Sequence, residues 1–122
     1  MSDAEFSFNS INRPKDPNNL SDIEKKHWPI IYCPESVEKN ESFEVKIKVG
    51  ELLEHPNEYA HFIQWIELFA GEVFIGRIDL TPVKTEPNVT LKIKLEDSTT
   101  IRALTSCNLH GVWENTKKVE VR

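Results

Sequence analysis

Glycine is scarce in this chain, with four residues in 122. So few glycines leave no phosphate-cradling loop, and no Gly-x-Ser-x-Gly elbow is present to seat a nucleophilic serine. No apolar run approaches the ~18 residues of a membrane span. The opening "MSDAEFSFNS" lacks the basic start and apolar stretch of a signal peptide. The expectation is a cytoplasmic protein that makes no membrane contact. Its two sequons, at Asn40 and Asn88, then carry no glycan. Positive charge is in deficit, with 15 Lys and Arg against 20 Asp and Glu and a net charge of -5. Nucleic acid is therefore not an expected partner, and a small anionic substrate would need a local positive patch. Cysteine occurs twice and methionine once, as Met1. In a cytosolic setting, free thiols or a metal ligand are favoured over a disulfide.

What is present is enough for one domain. A chain of this length buries roughly two-thirds of its unfolded surface and needs no staples. Residues 1–22 are rich in Asn, Asp, Ser and Pro without periodicity, and read as an irregular N-terminal arm lying on the domain or partly mobile. The arm contains no CxxC pair, so no small iron or zinc domain is expected in it. Residues 23–122 change character. "SFEVKIKV" alternates strictly, with Phe43, Val45, Ile47 and Val49 on one side. "VTLKIKL" repeats the pattern with Val89, Leu91, Ile93 and Leu95. "WPIIYC", "HFIQWIELFA", "EVFIGRIDL", "TIRALTS" and "KKVEVR" complete the set, with Ala70-Gly71 as a turn. No segment shows a helical period. The pattern predicts an all-β fold, an immunoglobulin-like antiparallel β-sandwich of seven or so strands, without the paired cysteines of an antibody domain.

The four histidines, His27, His55, His61 and His110, fall at expected strand edges or in loops. A single loop histidine is usually just solvated. Together with Cys107 the set points to metal, because imidazole and thiolate are common transition-metal ligands. In "HPNEYAH", His55 and His61 stand either side of a Pro56-Asn57 turn that can bring both rings to one point. In "SCNLHGVW", a tight loop can present Cys107 and His110 together. Five candidates exceed the four of a closed structural zinc site. A blue-copper site would add a methionine after the last histidine, and none is there.

The segments "KHWP", "HPNEYAHFIQWIELF" and "CNLHGVWE" resemble the signature segments of the superoxide reductase family, which includes neelaredoxin and desulfoferrodoxin. The resemblance covers roughly residues 24–122. It implies the same immunoglobulin-like fold. It implies one mononuclear non-haem iron (Fe2+/Fe3+) per chain, held by His27, His55, His61, His110 and Cys107. It implies that four imidazoles and an axial thiolate leave a sixth position open, where superoxide would take one electron and two protons and leave as hydrogen peroxide. The thiolate would push electron density toward the iron, tuned by backbone amides of the "CNLHG" loop, with Gly111 needed for the turn. The arm resembles the one-iron class. A rubredoxin-like electron donor and a homotetramer or dimer are implied as partners.

Lys26 precedes the first ligand as lysine does in the family, and would attract superoxide. Where relatives often carry a glutamate that closes the ferric sixth position, this chain has Lys25, with Glu24 one residue further back. Either Glu24 reaches the iron through a shifted loop, or water or hydroxide fills the place; the alternative role for the paired lysines is to enlarge the positive patch. Cys33 reads as a spare half-buried thiol, Trp65 and Trp113 as core packing beside the site, and Glu114 as surface charge. Trp28 has no account in the sequence. The alternative to a reductase is an immunoglobulin-like metal-binding electron-transfer module without superoxide turnover. A plain interaction domain would leave the ordered histidines and Cys107 without a purpose.

Overall fold

The computed structural model describes residues 6–122 of the chain. One short helix, α1 (Asp22–His27), precedes eight strands. These are β1 (Ile30–Tyr32), β2 (Ser36–Val37), β3 (Phe43–Lys48), β4 (Ile63–Ala70), β5 (Val73–Asp79), β6 (Asn88–Ile93), β7 (Thr99–Cys107) and β8 (Gly111–Val121). A three-stranded sheet in the order β1-β3-β6 faces a five-stranded sheet in the order β2-β8-β7-β4-β5. The architecture is an immunoglobulin-like antiparallel β-sandwich. One pairing departs from the antiparallel expectation: β2 runs parallel to β8, Ser36 opposite Glu120.

Alternation in the sequence places the core. Val45 and Ile47 on β3 are fully buried and pack in one cluster with Ile66 and Leu68 on β4 and Ile101 and Ala103 on β7. Each large aliphatic side chain removed from water this way contributes about 1.5–3 kcal/mol. Cys33 is half-buried against this core as a free thiol. Trp65 lies outside it, half-buried, with the Arg77 guanidinium 4.7 Å over its ring.

Two expectations need correction. The first is the absence of helix. Ser21 caps α1, its hydroxyl accepting from the Glu24 N–H (3.3 Å) while the Glu24 carboxylate accepts from the Ser21 N–H (2.8 Å). This reciprocal capping box nucleates a helix from local polar contacts. Its six residues are too few to display a 3.6-residue period, which is why periodicity missed it. The helix starts at Asp22, astride the expected boundary between arm and domain, and places His27 on its last turn rather than at a strand edge.

The second is Glu114, which is 4% exposed and no surface charge. Its carboxylate accepts from Arg13 Nε at 2.6 Å and Arg102 Nε at 2.7 Å, and its carbonyl accepts from the Trp28 indole at 2.9 Å. The arm, the segment after α1 and strand β7 all converge on this one residue of β8. Burial of a carboxylate is tolerable because two guanidiniums satisfy it. Trp28, without a role in the sequence, is the C-cap of α1 and ties it to β8.

Glu114→Ala is expected to lower unfolding stability by about 2–3 kcal/mol, since it leaves two charged donors without their acceptor. Arg13→Ala should cost under about 1 kcal/mol, because that side chain is more than half exposed. Urea denaturation of the two variants tests the asymmetry, and equal losses would refute it.

Candidate metal centre

Three structural pieces deliver five side chains to one point. Helix α1 carries His27 at its C-terminal end. The ring Nδ1–H donates to the Ile23 carbonyl at 2.7 Å. A carbonyl can only accept, so the proton sits on Nδ1 and the Nε2 lone pair is free to face inward. The loop between β3 and β4 carries His55 and His61. His55 repeats the device, its Nδ1 donating to the Pro56 carbonyl at 2.6 Å. Gly50, at φ +85°, lets the chain turn here: a Cβ on it would stand 2.9 Å from the His55 nitrogen. Asn57 pins the same loop, accepting from the Val83 N–H and donating to the Thr85 carbonyl. Val83 has φ +70°, a conformation costly for a β-branched residue, and the Asn57 bond helps hold it there.

The β7–β8 hairpin carries the other two. Cys107 pairs with Gly111, so residues 108–110 form a tight connecting loop. Gly111 has φ +80°, the left-handed conformation that three-residue hairpin loops require. Asn108, which the sequence did not single out, stitches this hairpin to the His61 loop. It accepts from the Phe62 N–H at 2.9 Å and donates to the Ala60 carbonyl at 2.9 Å. Asparagine suits loop positions because one amide satisfies both kinds of backbone group. That pattern of Asn beside Cys was the available signal.

The result is a closed ring of imidazoles. Centroids are 4.7 Å apart from His27 to His55, 4.8 Å from His55 to His61, 5.1 Å from His61 to His110 and 4.9 Å from His110 back to His27. Ligand atoms of His27, His61, Cys107 and His110 all lie within 4.8 Å of one another. His55 joins them through its Nε2, 3.1 Å from His27 Nε2 and 3.3 Å from Cys107 Sγ. His110 turns its Nδ1 toward Cys107 Sγ, at 3.7 Å. Trp113, 1% exposed, stacks on His27 at 5.4 Å and donates its indole N–H to the His110 carbonyl at 2.9 Å. Trp113 thus packs beside the site, as expected.

The electrostatics show what the ring lacks. Burial pushes His27 down to about 4 and His55 down to about 3, each further disfavoured by the other imidazoles. Burial lowers His110 as well, with His61 and then Lys26 adding to it. Both rings at the 3.1 Å contact therefore keep bare lone pairs facing each other, with no proton between them. His61 Nε2 is buried without any hydrogen-bond partner. Such groups cost about 1–3 kcal/mol each unless something satisfies them. A cation satisfies all of them at once. Metal–imidazole bonds of ~2.1 Å at right angles would hold two nitrogens ~3.0 Å apart, close to the His27–His55 separation. Burial raises the Cys107 thiol, offset by the backbone N–H groups of Leu109 and His110. A bound metal would stabilise it as a thiolate. The donor set of nitrogen and sulfur suits a borderline transition metal such as iron.

Lys26, on the same turn of α1 as His27, is close enough to depress both His27 and His110. The Glu24 carboxylate is held by the Ser21 N–H in the capping box. Lys25 lies between them on α1, half-buried.

Comparison with known proteins places these features among relatives. The family model described as Desulfoferrodoxin matches residues 19–116. A relative from Methanocaldococcus jannaschii is 44% identical over 113 residues, spanning 89% of this chain and 92% of its own. The superoxide reductase of Pyrococcus horikoshii is 34% identical over 106 residues, spanning 79% and 89%. The solved superoxide reductase (neelaredoxin) of Ignicoccus hospitalis superposes with a TM-score of 0.81 at 38% identity, covering 92% of this chain and 95% of that one.

Without metal, the chain should lose stability as pH falls. The unfolded chain takes up protons on His27 and His55 near pH 6.5, while the folded chain resists until about 4 and about 3. The contribution is complete above 6.5 and is lost progressively toward pH 3. Thermal melting of chelator-treated protein between pH 7.5 and 4 measures it. A midpoint that rises on acidification would contradict the buried neutral rings.

Proposed function

The chain belongs to the desulfoferrodoxin family, and from that premise we propose that it is a superoxide reductase, an oxidoreductase that reduces superoxide by one electron to hydrogen peroxide. Its cofactor is one mononuclear iron per chain, and we assign His27, His55, His61, His110 and Cys107 as the ligands. The observation that carries this reading is the set of ring nitrogens converging beside a thiol, with His27 and His55 held neutral by burial and His61 Nε2 left without a partner. Bound there, iron would supply the one-electron chemistry.

The chain's own residues do the rest. Lys26 concentrates the superoxide anion at the site against a net charge of -5. Cys107 would be deprotonated on metal binding and would supply a thiolate ligand, whose donation the N–H groups of Leu109 and His110 would moderate. Two protons complete the peroxide. His27 and His55 cannot furnish them, because each has its one N–H committed to a carbonyl. We assign the two protons to solvent water. Glu24 is committed to its cap, so it is given no role at the iron, and Lys25 and Lys26 form the positive patch.

Only two cysteines are present, too few for a four-thiolate iron centre within the chain. The electron donor in this reading is a separate rubredoxin-like carrier. The reading also carries a homo-oligomer, tetramer or dimer, a cytoplasmic location, and a division into an arm of residues 1–22 and an iron-binding unit of residues 23–122. Among the described residues, no helix is long and apolar enough to cross a membrane.

Pulse radiolysis of reduced, iron-loaded protein tests the activity. One peroxide per superoxide, with no oxygen evolved, is expected; an inert centre would instead support electron transfer without turnover. In the same assay Lys26→Ala should slow the second-order reaction ~10-fold or more at low salt, and an unchanged rate removes Lys26 from the mechanism. Glu24→Gln, which preserves a capping box, should leave the oxidised visible spectrum unchanged at neutral pH. A shifted band would put Glu24 at the iron.

A further inference from the structure

The N-terminal arm does more than fill surface. Asn12 joins it to β8 as a short parallel bridge opposite Trp113. The Asn12 N–H donates to the Val112 carbonyl at 2.8 Å, and the Glu114 N–H donates to the Asn12 carbonyl at 3.1 Å. Its side-chain amide donates to Val112 at 2.8 Å and to the Ser7 carbonyl at 3.0 Å, and accepts from the Ser7 N–H at 2.8 Å. The amide satisfies both backbone groups of Ser7 at once, so Asn12 closes residues 7–12 into a fixed turn. Arg13, next along, makes the 2.6 Å contact with buried Glu114.

That anchored turn sits directly on the loop that carries two ligands. A Cβ at Gly111 would stand 2.9 Å from the Ser7 carbonyl, so the two backbones touch as closely as glycine allows. Phe6 meets the His110 ring edge-on, centroids 5.1 Å apart and planes at 81°. Phe8 in turn meets Phe6 at 5.1 Å. His110 is the ring that needs this cover. His27 and His55 are 1% and 6% exposed, and half-buried His61 keeps its Nε2 buried, whereas His110 is half-buried with the arm over it. Water or a competing ligand that displaces an imidazole must reach the ring's edge, and at His110 the arm stands in that path.

We infer that residues 6–13 form a latch over His110 that slows loss of the iron, with Phe6 and Asn12 as positioning residues that act through the His110 ring. The inference rests on the assignment of His110 as an iron ligand. The latch acts on the rate of ligand release and takes no part in the electron step. It also explains an asparagine whose five hydrogen bonds no part of the chemistry uses.

The test is the rate at which iron leaves the ferrous protein for an excess of a bipyridine chelator, followed by absorbance. Phe6→Ala and Asn12→Ala should each release iron ~10-fold faster or more, as loss of an outer contact to a ligand does. Phe6→Tyr, which keeps the ring, should release it at the unaltered rate. Val119→Ala, a core truncation on β8 away from the arm, controls for general loss of stability and should also leave the rate unchanged. Should Asn12→Ala fail to fold, Phe6→Ala and Phe6→Tyr still decide the matter. Unchanged release in Phe6→Ala, or equal acceleration in Val119→Ala, overturns the latch. An unaltered protein that binds no iron at all would overturn the iron assignment itself, and the latch with it.

Discussion

Two imidazole nitrogens 3.1 Å apart, each with its proton held on the opposite side of its ring, define the structure's central constraint. They repel unless a positive charge lies between them. Protonation could supply that charge, but burial opposes it at both rings. The fold therefore holds a cluster that is unfavourable alone and favourable with a cation. The stability of the sandwich supports that cost, and metal binding recovers it. The orphaned His61 Nε2 and the neutral Cys107 thiol belong to the same account.

The scaffold meets this constraint with backbone rather than with more side-chain chemistry. Carbonyls of Ile23 and Pro56 set the tautomers of two rings. A three-residue hairpin loop sets the relation of Cys107 to His110, and Asn108 ties that loop to the segment bearing His61. Glu114 then locks β8, β7, the arm and the segment after α1 together, one residue beyond the Trp113 that stacks on His27. In a chain with a deficit of positive charge, Lys26 stands beside His27 and His110, and its proposed role toward an anionic substrate rests on that placement.

The strands were legible because period-2 alternation follows directly from one buried face per sheet, as Val45 and Ile47 on β3 demonstrate. Helix α1 was not, because six residues show no period, although Ser21 and Glu24 spell its cap. Strand β2 has two residues, and β8 begins at Gly111, inside what reads as a ligand loop. The five side chains of the site could be named from residue type and motif, and the structure brings them together. Their supports could not. Asn12 meets Val112 across 100 residues, and Glu114 meets Arg13 across 101. No local pattern encodes a contact at that separation. Glu114 looked like surface charge for the same reason: its partners are invisible along the chain.

The central claim is that five side chains build one iron centre with a thiolate ligand. Iron content and visible absorption of the purified oxidised protein, beside Cys107→Ser, test it most directly. The account predicts one iron per chain and a sulfur-to-ferric band that disappears in Cys107→Ser. Protein without iron, or a band that survives the loss of the thiol, would contradict it.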